Sequence, residues 1–267
     1  MKWQDYKKPI TSTFARHAKG NFADWQNCSI ILDDVSDALS TAKRDLIKEG
    51  RYADLFLLCN WTYLKWENTN MDDSAGQSLD FCSLITRLWK NIYHNGKADL
   101  PHAKMLSAFL KLLDGQLNGY LEDVVYDFIL QNFLSPQELA QKEQFFLQKI
   151  EKLKSEKPED VSRSIITSRY VKLLVSQKAP IEKIRALYVD EDNYLDLERL
   201  AKIEYDYGNI PEAIAHFKKQ IKSRPNPHWS DEPRKSLMEI YQAQGNTKAY
   251  REELYQLVMG HPGEMTY

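Results

Sequence analysis

One stretch constrains the fold more than any other. From Tyr205 to Pro225 the chain reads YDYGNIPEAIAHFKKQIKSRP. Just upstream, Leu197, Leu200 and Ala201 set two large side chains and a small one on one helical face. Gly208 follows as a break between two helices. Ala213, Phe217 and Pro225 then give a small residue, an aromatic and a stop. A small residue on each helix lets the two axes approach closely, while Leu200 and Phe217 fill the layer around that contact. Asn209 is the expected cap of the second helix, with Pro211 and Glu212 in its first turn. The spacing predicts an antiparallel helical hairpin.

A looser copy comes next in Leu237, Met238, Tyr241, Gly245 and Leu254. These spacings resemble the tetratricopeptide signature, although Glu204 stands where that pattern has an aromatic. The step from Gly208 to Gly245 exceeds the ~34 residues of an ideal repeat. The proline-rich RPNPHWSDEP at 224–233 takes up the excess. A third glycine-centred echo is LIKEGRYADLFLL at 46–58.

The rest of the chain fits the same scheme. Val35, Ala38, Leu39, Ala42, Leu46 and Ile47 recur at three and four from Asp33 onward, predicting a helix that Gly50 ends. Further helices are expected over 52–66, 79–95, from 101, over 121–133 and from Ser135, where SPQE reads as a capping box. SEKPED at 155–160 is the expected joint. The expected fold is therefore all-α: an irregular α-solenoid of antiparallel helical hairpins, tetratricopeptide-like in its carboxyl-terminal part. Its expected organisation is an entry arm at 1–30 with room for a short helix, a helical-hairpin region at 31–155 and a tetratricopeptide-like region at 156–267.

Composition excludes several classes. Hydrophobic residues make up 43%, enough for a core, and no apolar run approaches the ~20 residues of a membrane span. The net charge of −2 gives no global pull toward nucleic acid or anionic membranes. The opening MKWQDYKKPITSTF lacks the apolar segment of a secretory signal. Three scattered cysteines, Cys28, Cys59 and Cys82, fit neither a disulfide framework nor a CxxC zinc site. A cytoplasmic location is expected.

LIKEGRYADLFLL, the following NMDDSAGQ and the late YLDLERLAKIEYDYGNIPEAIAHFKK together resemble the helical carboxyl-terminal region of bacterial SWIM zinc finger proteins, as a pattern over roughly residues 30–260. The family's zinc motif, a CxC pair followed by CxH, is absent: no two cysteines lie close and no histidine follows a cysteine at two residues. No zinc ligand therefore carries over. The resemblance implies a metal-free interaction scaffold, in some members associated with helicase-like ATPases and chromosomal DNA processes.

Candidate sites are few. Asn70, Asp72 and Ser74 alternate as in a calcium loop, but Gly76 is out of phase and Phe81 stands where the bidentate glutamate belongs, so a capped interhelical loop is expected. The six histidines form no HxxxH or HExxH pair, and Cys59 and Cys82 fall on apolar faces. No catalytic, cofactor or metal residue is assigned. A partner-binding face is expected from Leu195, Glu198, Lys202 and Tyr205 on one helix and Lys235, Glu239 and Gln242 on another, all off the packing stripe. Glu198 and Glu239 oppose a clamp for a terminal carboxylate. Lys218, Lys219, Lys222 and Arg224 form a basic cluster that offers an alternative, nucleic-acid-associated reading. The expected function is a non-enzymatic scaffold for protein–protein interaction.

Overall fold

The computed structural model describes residues 2–156, 161–188, 194–223 and 230–260. The chain forms two compact units, Met1–Phe145 and Phe146–Tyr267. Thirteen α-helices occur among the described residues, against two strands of two residues each, so the expected all-α class is what is found.

The first unit opens with a 3-10 turn and α1 (Lys7–His17), β1 (Phe22–Ala23), α2 (Trp25–Lys48) and α3 (Tyr52–Glu67). β2 (Asn70–Met71) follows, then α4 (Gln77–Asn95), α5 (His102–Leu113) and α6 (Gly119–Gln131), with α7 (Pro136–Glu156) crossing the division. β1 and β2 pair in parallel, Phe22 with Asn70 and Ala23 with Met71. The entry arm carries its short helix as α1, and the arm is packed rather than free. Tyr6, Ile10 and Phe14, four residues apart, are buried, and α1 lies along α2. The Thr13 hydroxyl donates to Asp34 at 2.7 Å and the Tyr6 hydroxyl to Asp45 at 3.2 Å. α2 begins at Trp25 rather than Asp33 because Asp24 caps it, accepting the Asn27 amide at 2.8 Å.

Aromatic side chains fill this unit. Trp66 stacks on Phe81 with centroids 4.3 Å apart, and Trp89 meets Tyr63 at 5.0 Å and Phe109 at 4.9 Å. Each buried indole N–H is satisfied: Trp89 donates to Asn60 at 3.0 Å and Trp66 to Ser78 at 3.1 Å. Phe133 has a left-handed backbone, φ 58°, at a cost of about 1–2 kcal/mol for a residue with Cβ. Complete burial of its ring beside Tyr93, Phe109 and Phe128 returns about as much. The expected capping box forms at α7: Ser135 accepts the Glu138 amide at 3.4 Å, and Glu138 accepts the Ser135 amide at 2.9 Å. Lys142 is fully buried and donates to the Ile129 and Asn132 carbonyls at 2.9 and 3.0 Å, closing the end of α6. Burial pulls its ammonium down to about 8, with Glu138 resisting.

The second unit contains α8 (Val161–Ser176), α9 (Ile181–Arg185), α10 (Tyr194–Asp206), α11 (Ile210–Lys222), α12 (Asp231–Ala243) and α13 (Thr247–Met259). α10 packs on α11, α11 on α12 and α12 on α13, the order expected of stacked hairpins. One core joins Ala201, Ala213, Phe217, Leu237, Ile240 and Tyr241, all buried. The turns share one bonding scheme. Gly208 at φ 80° lets the Asn209 amide reach back to the Glu204 carbonyl at 2.8 Å. Gly245 at φ 66° does the same for Asn246 and Tyr241, also at 2.8 Å. The Arg51 and Leu46 pair repeats the bond at 2.9 Å in the α2–α3 turn, matching the echo read at 46–58. The expected joint at 155–160 and the 224–233 insertion fall largely outside the described residues.

Ala213 is 0% exposed against Ala201, Phe217 and the α12 side chains. Ala213→Trp is expected to destabilise the second unit by about 1–3 kcal/mol through overpacking. A urea titration checks this, and an unchanged midpoint removes Ala213 from the seam.

Candidate functional site

The residue that departs from the repeat pattern turns out to be an anchor. Glu204 is 0% exposed. Arg185, at the end of α9, donates to it twice, Nε to Oε1 at 2.6 Å and Nη2 to Oε2 at 2.9 Å. Asn209 Nδ2 adds a third bond at 2.8 Å. Asn209 stands at the N-cap of α11, as the sequence suggested, but its side chain makes no capping bond because it is spent on Glu204. The Tyr207 hydroxyl donates to the Ala179 carbonyl at 3.0 Å, fixing the same α10–α11 turn to the α8–α9 connection. A tetratricopeptide aromatic would fill this place with ring area; here a bidentate pair fills it with directed bonds. Burial alone would raise the Glu204 carboxyl, but the bonds from Arg185 and Asn209 and the Arg185 charge together hold it below the usual carboxylate range.

With the turn anchored, the outer faces are defined. On α10, Leu197, Leu200 and Ala201 are buried, whereas Lys202 and Tyr205 are exposed, Tyr205 by 41%. Glu198 is half-buried, accepting Lys202 Nζ at 2.7 Å and Gln220 Nε2 at 3.2 Å, so it also ties α10 to α11. On α12, Leu237, Ile240 and Tyr241 are buried, and Lys235, Glu239 and Gln242 are exposed. Lys235 donates to Glu232 at 2.7 Å. The Leu195 side chain lies outside the described residues.

The basic cluster is only partly assembled. Lys218 and Lys222 line a groove of about 240 Å³ between α11, α12 and α13. Arg234 joins them there; it lies beyond the proline-rich insertion, so its spacing does not group it with them. Tyr241 forms part of the floor, its ring centroid 5.9 Å from Lys218 Nζ. Glu252 and Glu253 line the same groove, and Arg234 donates to Glu253 at 2.6 Å. Its charge is therefore mixed. Lys219 is half-buried and does not line it, and Arg224 lies outside the described residues.

The remaining candidates serve the fold. In the 68–78 loop, Asp73 accepts the Ser78 amide at 2.6 Å at the start of α4, and Asp72 accepts the Ser74 amide at 3.2 Å. Two of the loop's acidic side chains are thus spent on its own backbone. His17 lies 3.0 Å from Asn27, and His102 stacks on Tyr93 with Glu138 at 3.6 Å. His228 and His261 fall outside the described residues. No group of three or more His, Cys, Asp or Glu suited to a metal ion occurs among the described residues, and no described helix is long and apolar enough to cross a membrane. The cysteines are free and buried. Burial raises all three thiols, Cys82 to about 11. No protein-family model matches the chain, and no curated protein matches it.

Two outcomes follow from these environments. The three thiols are expected to resist a disulfide reagent in the folded protein and to react together in strong denaturant; reaction of any one in the native state places it at the surface. Glu204→Gln is expected to cost about 1–2 kcal/mol, less than for a wholly buried pair because Arg185 remains partly in water. A depressed carboxylate stabilises above its unfolded pKa of about 4.3 and loses that contribution as pH falls through its lower folded value. The gap between wild type and Glu204→Gln should therefore shrink in acid, as read by denaturant titration from neutral pH downward. A gap that persists in acid assigns Glu204 no ionic role.

Proposed function

We propose that this chain is a non-enzymatic helical-repeat scaffold that docks a protein partner on the outward faces of α10 and α12. One observation carries the reading: along each of these helices the apolar residues are buried in the hairpin core, while Lys202, Tyr205, Lys235, Glu239 and Gln242 remain exposed. Packing does not use these side chains, and mixed charge around an exposed tyrosine suits recognition of another protein. Glu198 and Glu239 disfavour capture of a terminal carboxylate, so contact along a helix or an extended segment fits better. A cytoplasmic setting belongs to the same reading, as does the interaction-scaffold role implied by the zinc finger family resemblance.

The rival is a nucleic-acid-associated module beside helicase-like machinery, favoured by Lys218, Lys222 and Arg234 around Tyr241. Glu252 and Glu253 weaken the local field on which phosphate binding depends. Affinity capture from native lysate separates the two when wild type is compared with Lys202→Glu/Tyr205→Ala/Lys235→Glu and with Lys218→Glu/Lys219→Glu/Lys222→Glu. The scaffold reading expects the first variant to lose its bound protein with an unchanged melting curve, and the second to keep it. Retention by the first variant, or a salt-dependent nucleic-acid gel shift abolished by the second, overturns it.

A further inference from the structure

The two glycine turns set a register between α11 and α13, aligning Gly208 with Gly245 and Asn209 with Asn246. In that register Phe217 corresponds to Leu254 and Ile221 to Val258. Phe217 is 1% exposed and Ile221 is partly buried, because α12 lies against α11 and adds Leu237, Ile240 and Tyr241 to their cluster. Leu254 is 39% exposed and Val258 36%, so the equivalent face of α13 stands open. It is also more apolar than its counterpart. Where α11 carries Lys218 and Lys222, α13 has Tyr255 and Met259, exposed by 59% and 55%. The inner side of α13 is occupied: Ala249 and Tyr250 pack on the shared core, Glu253 bonds Arg234, and Glu252 faces the α11–α12 groove.

The open stripe has a charged end. Lys248 and Arg251 precede Tyr255 by seven and four residues, which sets all three on one side of the helix. Both cations are exposed, and neither forms an ion pair among the described residues. A second copy of this chain would bring the same two cations to the contact. The preceding hairpin shows what fits such a face, namely a helix.

We propose that this face of α13 docks an amphipathic helix of a protein partner, seated as α12 is on α11. The partner's apolar stripe covers Leu254, Tyr255, Val258 and Met259, and its acidic residues meet Lys248 and Arg251. This deepens the scaffold reading by adding a second docking face and naming its partner's chemistry.

The test uses two synthetic amphipathic helical peptides with the same leucine stripe, one flanked by glutamates and one by lysines, titrated against the full chain by fluorescence anisotropy. The glutamate-flanked peptide is expected to bind at least about tenfold more tightly. Leu254→Glu/Val258→Glu should abolish that binding, and Lys248→Glu/Arg251→Glu should reverse the preference. If the first variant melts early, Tyr255→Lys/Met259→Lys, which installs the α11 residues at highly exposed positions, replaces it and carries the same expectation. Equal binding of the two peptides, binding indifferent to the α13 substitutions, a dimer dissociated by the same substitutions, or binding that appears only after removal of residues 261–267 each overturns the proposal. Failure here with capture through α10 and α12 intact leaves the scaffold reading standing; loss of both removes it as well.

Discussion

The close approach of paired helices at Ala201 and Ala213 is the constraint on which the second unit depends. Two side chains of minimal size, both fully buried, let α10 and α11 approach until Phe217 can share one core with Leu237, Ile240 and Tyr241 of the next hairpin. That approach requires a tight reversal, and the left-handed Gly208 supplies it. Because one turn scheme recurs at Gly50, Gly208 and Gly245, helices that follow each other in sequence also touch in space. Directed bonds then fix what apolar contact leaves free to slide. Glu204, gripped by Arg185 and Asn209, sets the α10–α11 turn against α9.

Much of this was legible in the residues. Helical periodicity marks Val35, Leu39, Ala42 and Leu46, and all four are buried. The SPQE box forms as written. What escaped notice depended on partners distant in sequence. The Tyr6, Ile10 and Phe14 stripe is diluted by lysines, a proline and threonines, so its periodicity is weak in the sequence, and α2 is what buries it. Glu204 read as a defect in a repeat, since its meaning lies with Arg185, nineteen residues upstream. Asn209 fits a cap on local grounds, yet the same side chain has a stronger acceptor in Glu204. Local preference gave way to a charge-assisted bond.

The candidate surfaces divide along the same line. Exposure on α10 and α12 follows from which positions the helical stripe leaves over, so Lys202, Tyr205, Lys235, Glu239 and Gln242 could be named from spacing alone. The groove beside α11 could not. Arg234, Glu252 and Glu253 reach it from two later helices, and they turn an apparent basic cluster into a surface of mixed sign. Leu254 keeps the repeat phase of Phe217 but not its burial, a difference visible only once the cover that α12 gives α11 is known.

In this chain the conspicuous residues hold helices together; under the proposed function, recognition falls to inconspicuous ones on the outside. A substitution scan across α10 to α13, scored separately for thermal unfolding and for partner retention, addresses that division most directly. Two disjoint sets are expected: Leu200, Ala201, Ala213, Phe217 and Leu237 govern melting, while Lys202, Tyr205, Lys235 and Glu239 govern retention at constant melting temperature. One set of positions governing both properties would contradict it.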